Sequence, residues 1–207
     1  CILSKVVFCA LCGHVCSRKV RKSQTFVWCC RTHLQSAALC PLKPVSETEI
    51  QQAFLSVYNK LQANQSYILQ PIIDTLLQLR FLQEQANSAR QTARDDVQRL
   101  AKQRHNLTRI HTLGYIDNAQ FLERSIALDQ QLREKKKFLS KRTTDNSFER
   151  VLFQTRSIQQ QLGSSPPLET FDGTIFTKLV NRVQVSPTTI EFKFMNGMTL
   201  SEKRSSL

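Results

Sequence analysis

Cys9-Ala10-Leu11-Cys12, followed by Cys30 and Cys40, constrains the fold more than any other stretch of this sequence. Two thiols three residues apart fit around one ion when the turn between them is tight, and two later thiols complete a tetrahedron. The pattern implies a structural Zn2+ site with a small β-ribbon folded around it. All seven cysteines lie within the first forty residues, and seven cannot all pair. A secreted disulfide framework spreads its cross-links over the fold, so reduced thiols around a metal, inside a cell, are the expected state. Closing such a site contributes on the order of 10 kcal/mol to a module with little core of its own.

Local patterning suggests which sulfurs serve. Val6-Val7-Phe8 reads as a strand delivering Cys9, and Gly13 permits the turn after Cys12. Val15 to Val20 and Thr25 to Cys30 read as the arms of a hairpin around Arg21-Lys22-Ser23-Gln24. Alternation places Phe26, Trp28 and Cys30 on one face, with Val27 and Cys29 on the other. Cys30 is therefore preferred to Cys29, giving Cys9, Cys12, Cys30 and Cys40 as ligands. His33 is an alternative to Cys40, set against a surface or DNA-facing role. His14 is read as a neighbour of the knuckle, and Cys1 and Cys16 as small packing residues.

Charge points to the partner. Lys5, Arg18, Lys19, Arg21, Lys22, Arg31 and Lys43 all precede Glu47, the first carboxylate, and the whole chain carries a formal charge of +13. A metal-stapled cationic module suits a polyanion, most simply nucleic acid. Arg18, Lys19, Arg21, Lys22, Arg31 and Lys43 are the expected DNA-binding residues, against the plainer reading of a solvated basic hairpin. Nothing in the spacing says which of them reads base edges. No run is long and apolar enough to span a membrane, and the first residues do not read as a signal peptide. The absence of an initiator Met suggests a fragment of something longer. No Ser/His/Asp or paired-carboxylate constellation clusters, so no active site is expected.

Helices dominate the middle. Pro41 and Pro44 end the ribbon, and Ser46-Glu47-Thr48-Glu49 forms a capping box for a helix with Ile50, Phe54, Val57 and Leu61 on one face. Pro71 suits the first turn of a second helix, and neither Gly nor Pro interrupts Ile72 to Leu113, a length of about 60 Å. Its seam runs Leu76, Leu79, Gln83, Ala86, Arg90, Ala93, Val97, Leu100, Arg104, Leu107, apolar at both ends and polar between. Gly114 caps it, and Leu113, Gly114, Tyr115 and Ile116 form the tip of a reversal where a partner contact competes with ordinary turn packing. Asp117 with Gln120 starts a return helix bearing Phe121, Leu128, Leu132 and Leu139. Lys135-Lys136-Lys137 and Lys141-Arg142 read as its solvated face. Thr143 to Asn146 break it, and Asn146 with Glu149 caps a further helix.

Gly163-Ser164-Ser165-Pro166-Pro167 reads as a linker, followed by a short helix over about Gly173 to Asn181. Strands follow at Val183-Val185 and Ile190-Phe194, with Asn196-Gly197 signalling a two-residue hairpin turn. So small a hairpin holds no core alone and must pack back on the ribbon and first helix. The expected fold is α+β: a zinc β-ribbon with a terminal β-hairpin and short helices, interrupted by a long antiparallel helical arm. The expected division is 1–70, 71–163 and 164–207.

This order of features resembles the C-terminal half of a large serine recombinase, the kind found in bacterial mobile elements and phage integrases. The match is carried by Val6 to Gly13, Trp28-Cys29-Cys30-Arg31-Thr32-His33, Cys40-Pro41 and Ala53-Phe54. It continues through Leu113-Gly114-Tyr115-Ile116-Asp117 with Phe121, Phe171-Asp172 to Phe176, Leu179 to Val183, Ile190 to Phe194, and Asn196-Gly197. The resemblance implies that the ribbon reads part of an attachment site. It implies also that the arm meets arms of other recombinase subunits, and a directionality factor, to control synapsis in a bacterial cytoplasm. The family's serine domain would precede the ribbon, so this segment is expected to bind DNA and not cut it.

Overall fold

Two small sheets frame the N-terminal residues. The computed structural model describes residues 2–21, 23–140 and 147–204. Strands β1 (Val7–Cys9), β2 (Cys16–Val20) and β3 (Phe26–Cys30) lead into a single-turn helix α1 (Arg31–Gln35), then β4 (Val45–Ser46). Helices α2 (Glu47–Ala63), α3 (Gln65–Thr112), α4 (Asn118–Ser140), α5 (Ser147–Ser164) and α6 (Gly173–Leu179) follow. Strands β5 (Val180–Val185), β6 (Thr189–Phe194) and β7 (Thr199–Lys203) close the chain. The fold is α+β.

One sheet has the order β2-β3-β4; the other runs β1-β5-β6-β7. In the first, Cys16 faces Cys30 and Arg18 faces Trp28, so the hairpin register sets a ligand thiol and a basic residue along one face. In the second, β1 lies parallel to β5, with Val7 opposite Val183, and the last three strands form an antiparallel meander. The C-terminal strands thus complete a sheet begun by the strand that delivers Cys9.

Two compact units result: Cys1–Leu76 with Glu149–Leu207, and Leu77–Phe148. The second is therefore an insertion in the sequence of the first. In the first unit Phe54 is fully buried against Phe171, Phe176, Phe192 and Tyr58, with centroids 5.1 to 6.0 Å apart. Ser46 accepts from the Glu49 amide at 3.0 Å and so starts α2. The second unit pairs α3 and α4 antiparallel: Arg90 donates to the Leu139 carbonyl, Lys135 meets Asp96, and Arg104 meets Asp129.

Four expectations need correction. Pro71 lies inside α3, which starts at Gln65, because burial of Leu69 and Ile73 in the core draws the preceding residues into the helix. The unit boundaries fall at Leu76/Leu77 and Phe148/Glu149, so α5 belongs with the ribbon rather than with residues 71–163. Burial of Leu152, Ile158 and Leu162, and the Asn196 Nδ2 to Thr155 Oγ1 bond, account for that. The β6–β7 turn is not of the two-residue kind, since Gly197 has positive φ and Asn196 does not. Asn196 is buried and its side chain serves Thr155 and the Met198 amide, which fixes a wider turn. Helix α6 stops at Leu179, where Val180 enters β5. The expected break at Thr143 to Asn146, with its Asn146 cap, and the basic pair Lys141-Arg142 lie outside the described residues.

Candidate metal centre and basic hairpin

Cys9 ends β1, Cys12 lies within a turn closed by the Gly13 amide to the Cys9 carbonyl, Cys30 ends β3, and Cys40 precedes Pro41. Gly13 takes φ of +74°, which a side chain would resist. The four sulfurs lie within 4.8 Å of one another, with Cys9 to Cys40 at 3.5 Å and Cys12 to Cys30 at 3.3 Å. A zinc–thiolate tetrahedron with bonds of about 2.3 Å has edges of about 3.8 Å, so the cluster is of the right size and chemistry for the ion. Cys9, Cys30 and Cys40 are buried and Cys12 is partly open.

Burial and neighbouring groups perturb Cys9, Cys12 and Cys40 in different directions. Burial pushes Cys9 up to about 12, helped by its neighbours Cys40 and Cys12 and opposed by backbone amides. Burial also acts to raise Cys12, but the Thr32 hydroxyl, the His14 amide and the Cys30 and His14 side chains outweigh it and bring it to about 5. Cys40 is raised, mainly by burial. Four thiolates this close repel one another, and a divalent cation removes that repulsion while displacing their protons.

Supporting residues were not all visible in the sequence. His33 is not among the clustered ligands: its Nδ1 lies 2.7 Å from the Cys40 carbonyl and steadies that loop. Thr32 Oγ1 lies 3.5 Å from Cys12 Sγ and 3.2 Å from His14 Nδ1. Helix α1 places both Thr32 and His33. The hydroxyl two residues after Cys30 was the signal available for Thr32. Cys16 is buried beside the cluster, as a packing residue would be, and Cys29 is buried too.

The basic residues divide between the hairpin's faces. Lys19 is exposed, and Arg31, also exposed, donates from Nε to Ser17 at 3.2 Å on the same face. Arg21 is exposed in the turn, where its amide bonds to Thr25 and its carbonyl accepts from Gln24. Lys43 is exposed between α1 and β4. Lys22 lies outside the described residues. Arg18, on the other face, forms a two-point ion pair with Glu47 at 2.7 and 2.8 Å. Glu47 was read from the sequence only as part of a cap; its folding back onto β2 needs the β3–β4 pairing.

Residues 2–59 match the family described as the recombinase zinc beta ribbon domain. That matched span contains all four clustered thiols. No curated protein matches the chain. A solved structure described as the crystal structure of an LSR–DNA complex aligns with 95% of this chain at 13% identity and a TM-score of 0.37. The chain spans 56% of the length of that one.

In the second unit, Gly114 has φ of +79°, and the Leu113 and Tyr115 amides close the turn onto Arg109 and Ile110 carbonyls. Leu113 is 61% and Tyr115 77% exposed, while Ile116 is half-buried. His111 stacks on Phe121 at 4.2 Å and its Nε2 meets Asn118 Oδ1, which ties the two helices just behind the reversal. Among the described residues, no helix is long and apolar enough to cross a membrane.

Proposed function

We propose that this chain is the DNA-binding and synapsis-controlling part of a large serine recombinase acting in site-specific recombination. The observation that supports the reading is a segment similar to the recombinase zinc ribbon, whose four thiols converge at the end of an exposed cationic hairpin. Zn2+ held by Cys9, Cys12, Cys30 and Cys40 fixes that hairpin, and Lys19, Arg21, Lys22, Arg31 and Lys43 meet duplex phosphates of an attachment site. Strand cleavage belongs to the serine domain of such an enzyme, not to these residues. Leu113, Gly114, Tyr115 and Ile116 meet other recombinase subunits, or a directionality factor; the wide exposure of Leu113 and Tyr115 supports this. Its setting is the bacterial cytoplasm.

Salt dependence tests the central step. Binding of the zinc-loaded chain to a duplex pool is expected to weaken by orders of magnitude between about 50 and 200 mM salt, because each phosphate contact releases a counterion. Affinity unchanged over that range overturns phosphate recognition. Tyr115→Ala is expected to leave duplex affinity intact while abolishing pairing of two DNA-bound copies; intact pairing removes the tip from the scheme.

A further inference from the structure

We propose that Arg18 reads a guanine edge rather than a phosphate, and that Glu47 and Phe26 are the positioning residues that aim it; this rests on the DNA-binding reading above. Arg18 uses Nε and Nη2 to hold both oxygens of Glu47. A guanidinium has five N–H donors. This side-on pairing consumes two and leaves the outer edge, where one Nη1–H and one Nη2–H run parallel, without a partner among the described residues. A third of the side chain is open to solvent (33%). Phe26 lies 3.4 Å from the guanidinium carbon and fixes the plane of the group.

The carboxylate is itself anchored. Glu47 opens α2 directly after the Ser46 cap and accepts from Trp28 Nε1 at 3.1 Å, and Trp28 is buried. Ring, carboxylate and indole therefore hold one arginine in one orientation, which reduces the ordering cost of a contact. An aimed arginine fork matches a phosphate as well as a base edge, so charge decides between them. Glu47 neutralises the charge that draws Arg18 to a phosphate. What the frame preserves is the parallel donor pair, which matches the O6 and N7 acceptors of guanine in the major groove. Lys19, Arg21 and Arg31, which among the described residues have no carboxylate partner, are left for phosphates.

The test is selection from duplexes with a randomised core of about 20 base pairs, using the zinc-loaded full chain. Wild type is expected to enrich guanine at a position where Arg18→Ala is indifferent, a change of about 10- to 100-fold in base preference. Glu47→Gln is expected to tighten non-specific binding while weakening that preference, opposite signs that a merely structural role does not produce. Replacing the selected base by 7-deazaguanine removes N7 alone; it should weaken wild type and leave Arg18→Ala unmoved, with no demand on the folding of a variant. An unchanged preference at every position in Arg18→Ala, or wild-type indifference to 7-deazaguanine, overturns the assignment of Arg18 alone. Failure of wild type to bind any duplex overturns the DNA-binding reading and this inference with it.

Discussion

The unit that holds the ribbon and the inserted helical unit are stabilised by different physics. The first buries Phe54, Phe176, Phe192, Phe194, Ile50, Leu61 and Tyr58 almost completely, and it brings four thiols together. Among the described residues of the second, only Ala93, Leu100, Leu107 and Leu132 are buried. Its helices depend on a thin apolar seam, on propensity, and on pairs such as Arg104 with Asp129. The difference teaches where each unit is vulnerable. The first should fail cooperatively when its core is lost and locally, over the ribbon, when its metal is lost, whereas the second should lose stability in small increments.

The sharpest way to break this contrast is to remove the metal. Chelation forfeits on the order of 10 kcal/mol of binding energy from a module whose own core is small. Trp28 is the only tryptophan and is 2% exposed, so it reports on the ribbon alone. Its emission should shift to the red on chelation and return with zinc, while most of the far-UV helical signal persists. Residues before about Ser46 should become protease-sensitive at the same time. A Trp28 spectrum indifferent to proven metal loss would remove the metal from the account of the ribbon.

Phe54→Ala comes next. The ring touches four other aromatics, and its loss should cost about 3–5 kcal/mol. Hydrogen exchange should accelerate across α2 and β6 and remain unchanged in α4. Equal acceleration in α4 would mean that the two units share one cooperative transition. The matching change in the other unit is Leu100→Ala, at a residue 3% exposed, which should cost about 2 kcal/mol because a two-helix seam can collapse onto the gap. There the exchange should rise in α3 and α4 and spare α2.

How much of this was legible in the sequence follows from range. The cysteine spacing, the Ser46 cap, Gly114 and the helical repeats act within a few residues, so the convergence of the four thiols and most helices could be read directly. Three features could not. The parallel pairing of Val7 with Val183 joins residues far apart in the chain, and nothing local signals it. Helix α5 was assigned to the arm because its apolar spacing looks the same whichever core receives Leu152, Ile158 and Leu162. Glu47 looked like a capping residue alone, because its reach to Arg18 depends on a two-residue strand, β4, too short to show a pattern. The acid-free stretch before Glu47 therefore overstated the free charge of the hairpin by one arginine.

The smallest effect belongs to Glu202, and its sign is set by protonation. On β7, its carboxylate accepts from Lys60 at 2.6 Å and from Ser56 at 2.9 Å, both on α2. The Lys60 ammonium, with the Ser56 hydroxyl, holds the acid below the usual carboxylate range against a smaller opposing effect of burial. A carboxylate whose folded pKa is depressed stabilises the fold above its unfolded value, about 4.3, and loses that contribution as pH falls through the folded one. Lys60 is 65% exposed, so solvent screens the pair and its worth is about 0.5 kcal/mol. Glu202→Gln should therefore lower stability slightly at neutral pH and converge on wild type in acid. Acid also protonates the cysteine ligands, but both proteins lose metal alike, and the difference between them isolates the ion pair. A gap between the two melting temperatures that widens below about pH 4 would show that Lys60 is not what Glu202 answers to.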